Sequence, residues 1–109
     1  MVCFDELGHL RSMVRARCAS LDLHEDEADS LLDAGLGASA NAIETRLRIV
    51  DEILMLAVAV FGATRGGEWL RHHGDIFAGR TPLDMAMGNL CGARRVRDHL
   101  RILHDALVD

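Results

Sequence analysis

Ile53-Leu54-Met55-Leu56-Ala57-Val58-Ala59-Val60-Phe61 is the stretch on which the fold turns. It contains no charge and no turn former. It is also far too short to cross a bilayer, which takes about 20 apolar residues. Upstream, Ile43, Leu47, Val50 and Leu54 recur at spacings of three and four, and Ala57 and Phe61 continue the series. That is the period of a helix with one apolar face. Ser39 or Asn41 is placed to cap its start and Gly62 to stop it. The pattern therefore predicts one long helix, roughly Ser39 to Phe61. Its second half is apolar on every side, so it is expected to be the central post of the fold, buried within one chain or between two.

The same spacing extends outward in both directions. Phe4, Leu7, Leu10, Val14 and Cys18 share a face, with Arg11, Arg15 and Arg17 off it. From Leu23 to Ala34 a second helix turns Ala28, Leu31 and Leu32 inward. Asp22 with Glu25 has the spacing of a capping box, and Gly35 and Gly37 follow its end. After Gly62 a short helix carries Trp69 and Leu70, followed by a loop from His72 to Arg80. Thr81-Pro82-Leu83-Asp84 opens the next helix. A Thr cap precedes a proline in the first turn, where its missing N–H costs nothing. Gly88 ends this helix. The last runs roughly from Gly92 to Val108, with Ala93, Val96, Leu100, Leu103 and Leu107 on one seam. Strand signals are nearly absent. The expected fold is all-α, a compact bundle of about six helices with a long central helix.

Bulk composition bounds the function. The chain has 109 residues, enough for one domain that buries roughly two-thirds of its unfolded surface. Hydrophobic residues make up 50% and aromatics 4%, so the core must be aliphatic. Met13, Met55, Met85 and Met87 are read as core fillers. The net charge of -5 gives no global attraction to nucleic acid or to an anionic membrane. Cys3, Cys18 and Cys91 are an odd set without CxxC spacing. They fit free thiols in a reducing, cytoplasmic setting. No signal peptide is visible, because Asp5 and Glu6 precede any apolar stretch.

Little in the sequence points to chemistry. His72 and His73 are adjacent and diverge on a helix, while His99 and His104 are five apart, so neither pair suits one metal ion. Arg65-Gly66-Gly67 is too short for a phosphate loop, and no nucleophile motif surrounds Ser or Cys. The reading is of no catalytic residue, metal or cofactor. The acidic run Asp22, Glu25, Asp26, Glu27, Asp29 and Asp33 reads as a solvated helix face. What remains is protein binding.

Trp69-Leu70, then Gly79-Arg80-Thr81-Pro82-Leu83-Asp84, then Gly92-Ala93-Arg94-Arg95-Val96 and Leu100-Arg101-Ile102 stand in a fixed order and spacing. This pattern resembles the C-terminal toxin-binding domain of the MbcA/ParS/Xre antitoxin family. Met85-Ala86 stands where the family often has Leu-Leu. The resemblance implies residues 61–109 as a toxin-binding region, with residues 1–60 an N-terminal helical region of degenerate helix-turn-helix character. It further implies an antitoxin of a bacterial type II toxin–antitoxin system that dimerises and sterically inhibits a RES-domain, NAD-degrading toxin. Candidate partner-binding residues are Arg80, Arg94, Arg95, Arg97, Arg101 and His104, since arginine is enriched at interfaces. Two alternatives stay open: a DNA-binding autoregulator, contacting DNA as a dimer through Arg46 and Arg48, and an orphan helical interaction module. The acidic second helix and the small, uncharged segment from Gly35 to Ala42 argue against a DNA reader.

Overall fold

The computed structural model describes residues 4–72 and 74–108, at positions 4 and 5 the backbone only. Cys3, His73 and the side chain of Phe4, all used in the sequence reading, lie outside the described residues. The long helix is present as α3, Ala40–Phe61, of 22 residues. Ser39 caps it, its Oγ accepting from the Ala42 amide at 3.1 Å. At the other end Gly62, at φ +86°, sends its N–H back to the Val58 carbonyl. Around α3 stand α1 (Phe4–Ser20), α2 (Glu25–Leu32), α4 (Ala63–Leu70), α5 (Pro82–Gly88) and α6 (Leu90–Val108), with one 3-10 turn at Asp75–Phe77. No strand occurs among the described residues. The Cα radius of gyration, 13.5 Å, is close to that of a single domain of this length.

One aliphatic core joins all six helices. Val14, Leu31, Leu47, Val50, Leu54, Leu70, Leu83, Val96 and Leu100 are all buried in it. The α3 stripe predicted from the spacing is the buried one, but the second half of α3 is not covered on all sides. Met55 is 47% exposed and Val58 38%, so the outer face of the post is open. Met85 is buried and Met13 and Met87 are half-buried, so Met55 alone departs from the core-filling expectation. On α6 the seam holds through Leu100, weakens at Leu103 and fails at Leu107, which is exposed.

Two helix starts differ from the expectation. α2 is preceded by His24, whose backbone N–H donates to Glu27 Oε1 at 2.8 Å. Asp22 is instead in the left-handed region at φ +58° and turns the chain out of α1, so it is unavailable as a cap. α6 begins at Leu90, earlier than Gly92, because Asn89 Oδ1 accepts from the Gly92 amide at 2.7 Å.

The glycines of Arg65-Gly66-Gly67 serve packing. A Cβ on Gly67 would lie 2.5 Å from the Leu21 carbonyl oxygen, and one on Gly66 would lie 3.0 Å from that of Ala57. They let α4 approach both α3 and the turn after α1. Gly92 does the same for α6, where a Cβ would collide with the Met85 carbonyl oxygen of α5.

Candidate functional site

The segment from Gly74 to α6 is built by turn chemistry. Ala78 at φ +55° and Gly79 at φ +84° fold the chain back after the 3-10 turn. Thr81 is buried and caps α5, its Oγ accepting from the Asp84 amide at 2.9 Å, with Pro82 in the first turn. This start was legible in the sequence. It fixes Arg80, which is exposed and donates to the Asp84 carbonyl at 3.3 Å.

The six predicted partner-binding residues do not form one patch. Arg94, Arg97, Arg101 and His104 follow a 3-4-3 spacing and share one stripe of α6. Arg101 makes a two-pronged ion pair with Glu52 of α3, through Nε to Oε2 and through Nη2 to Oε1 at 2.8 Å. That bond, the largest influence on it, raises the Arg101 pKa above its ordinary value. Arg97 is half-buried and pairs with its neighbour Asp98 at 3.1 Å. His104 Nδ1 lies 3.8 Å from Asp105, an ion pair when the imidazole is protonated. Arg95 points elsewhere and lines a cleft together with Arg80, Phe77 and Cys91. Arg94 and Arg95 make no ion pair with any described residue.

Trp69 anchors packing, as its place in an aromatic-poor chain suggests. Its ring stacks on Phe61 at 5.3 Å and on His99 at 6.1 Å, and His99 meets Phe77 edge-on at 5.9 Å. In the sequence His99 counted only as half of a pair unsuited to a metal ion. His99 is instead half-buried in this ladder, which ties α4, the 3-10 turn and α6 together.

The sequence reading missed the exposed apolar side chains. Ile76 is 55% exposed, Ile102 67% and Val108 69%. Helical geometry carried the signal for Ile102, which falls on the far side of α6 from Val96 and Leu100.

Arg46, a candidate DNA contact, is 4% exposed. Its Nε donates to the Leu31 carbonyl at 2.8 Å and its Nη2 to the Ala86 carbonyl, so it joins the ends of α2 and α5 to α3. Burial lowers its pKa. Held this way it cannot reach into a major groove. Arg48 is exposed and pairs with Glu44 at 2.7 Å. The acidic face of α2 is mostly solvated, as expected, with Asp29 bound to Arg15 and Glu27 to Arg71.

Residues 56–103 match the model of the antitoxin Xre/MbcA/ParS C-terminal toxin-binding domain. Over these residues the chain is similar to that family. The segment starts within α3 and ends within α6, so it takes in the aromatic ladder, the capped start of α5 and the arginines of α6. No curated protein and no solved structure matches the chain. Among the described residues, no helix is long and apolar enough to cross a membrane.

Proposed function

We propose that this protein is an antitoxin that binds a RES-domain, NAD-degrading toxin and covers its active site with the surface of α5 and α6. The match of residues 56–103 to the toxin-binding domain carries this reading. The exposed arginines Arg80, Arg94 and Arg95 and the exposed Ile102 support it, because a guanidinium beside an aliphatic side chain suits a protein interface. Steric occlusion needs complementarity and no reactive group. The working form is a homodimer, for which the uncovered Met55 and Val58 offer an apolar contact.

Co-expression with a RES-domain toxin tests the reading. Growth is expected to recover, cellular NAD to be restored, and the two proteins to elute together. Continued NAD loss with separate elution rejects it. Light scattering on the antitoxin alone should give twice the chain mass of 12.0 kDa; a monomer mass rejects the homodimer.

A further inference from the structure

Arg46 has a further property. Its Nε and Nη2 are held by two carbonyls, yet no carboxylate pairs with it among the described residues. Nη1 makes no hydrogen bond to any described residue, and no buried side-chain nitrogen is left without a partner. Nη1 therefore keeps some contact with solvent, and Arg46 lines the cleft between α2, α3, α5 and α6. A cation that is almost wholly buried, with one N–H face open to a cleft and no carboxylate in direct contact, leaves a place for an anion, since the charge of Asp33 acts on it without forming an ion pair.

The rest of the cleft is positive too. Arg94 lines it from α6 and has no ion-pair partner among the described residues. The first turn of α3, at Asn41 and Ala42, and the start of α6, at Asn89 and Leu90, also open onto it. Both helices are long, with 22 and 19 residues, so two positive helix ends face the same space. Asn41 and Asn89 add side-chain amides. Asp33 is the opposing charge on the rim, and its Oδ1 is already engaged by the Gly35 amide at 2.9 Å. The cleft holds about 730 Å³, room for a small molecule.

We propose that this cleft is an oxyanion site, taking the carboxylate or phosphate group of a small molecule between Arg46 and Arg94. It lies outside the cleft shared by Arg80 and Arg95 and does not depend on the antitoxin reading. Phosphate and carboxylate ask the same of the site, namely planar guanidinium donors and helix amides.

The test is titration of the full-length protein with sodium phosphate and, separately, with sodium succinate, followed by backbone amide NMR against sodium chloride of equal ionic strength. Saturable shifts are expected at Asn41, Ala42, Leu90 and Cys91 with at least one of the two, and the tighter binder identifies the class. Arg94→Gln, at an exposed position that leaves the fold intact, should weaken binding about tenfold, the effect of losing one charge-assisted hydrogen bond. A second variant, Asn41→Asp, places a carboxylate at the mouth and should weaken it similarly. Shifts no larger than those from chloride, or shifts unchanged by both variants, overturn the proposal.

Discussion

At the scale of single residues, Arg46 and Cys18 show how burial decides behaviour. Arg46 satisfies two carbonyls that close the ends of α2 and α5. In Arg46→Met both lose their donor in a place that water reaches poorly. The expected loss is about 2 kcal/mol, within the usual cost of leaving a buried polar group unpaired. Urea denaturation checks this, and a change under about 0.5 kcal/mol would mean that water replaces the guanidinium. Cys18 is 1% exposed, and burial pushes its thiol up to about 11 from 9.0. Its thiolate is the reactive form, so in the native protein a thiol reagent should modify the exposed Cys91 rapidly and Cys18 only on unfolding. Equal rates at the two sites in native buffer would contradict the structure. The raised value also has a linkage consequence. The preference for a buried thiol is fully present below pH 9.0 and is lost as pH rises through about 11.

At the scale of elements, the ion pair between Arg71 and Glu27 joins the end of α4 to α2. Arg71 Nη2 donates to Glu27 Oε1 at 2.6 Å and to the Asp22 carbonyl at 3.0 Å, so it also braces the left-handed turn after α1. The hydrogen bond from Arg71 is the main reason that the Glu27 carboxyl lies below its ordinary 4.5. A depressed carboxyl stabilises the fold above its unfolded value, and that support is lost as pH falls through the folded one. The urea midpoint should therefore fall below pH 4.5, and Glu27→Gln should flatten that part of the profile. An identical profile in the variant would exclude Glu27 as the source. Helix order was legible at this scale because spacing and caps are local signals. Thr81, Pro82 and Asp84 declare the start of α5 within four residues. The cap of α2 was misread because Asp22 and His24 both precede the helix, and only the path of the chain out of α1 decides between them. The roles of Gly66, Gly67 and Gly92 were not legible, since they depend on backbone from Ala57, Leu21 and Met85 arriving from elsewhere. The same applies to Arg46: nothing in its sequence neighbourhood announces two carbonyls fifteen and forty positions away.

At the scale of the whole molecule, charge is segregated. The net charge is -5, yet α2 carries Glu25, Asp26, Glu27 and Asp29 while α6 carries four arginines. The family pattern in the sequence overlaps the segment that matches the toxin-binding domain, residues 56–103, but it gave the arginines equal weight. The structure separates them. Arg101 is already bound to Glu52 and Arg97 to Asp98, whereas Arg94 and Arg95 hold no carboxylate among the described residues. An arginine that is already paired gains less from a partner's acid, because the old bond must be given up first. If the proposed function holds, Arg95, beside Arg80 in its cleft, is expected to contribute more to toxin binding. Arg95→Glu is expected to lower affinity for the co-expressed toxin about tenfold or more, mainly through faster dissociation. It should also flatten the dependence of affinity on salt. Arg101→Gln should change affinity by less than about threefold, since its main partner lies within the chain. Surface plasmon resonance at two salt concentrations reads all three quantities. If Arg101→Gln proves the more damaging, the Glu52 pair opens on binding and the α6 stripe, instead of the Arg80–Arg95 cleft, meets the toxin.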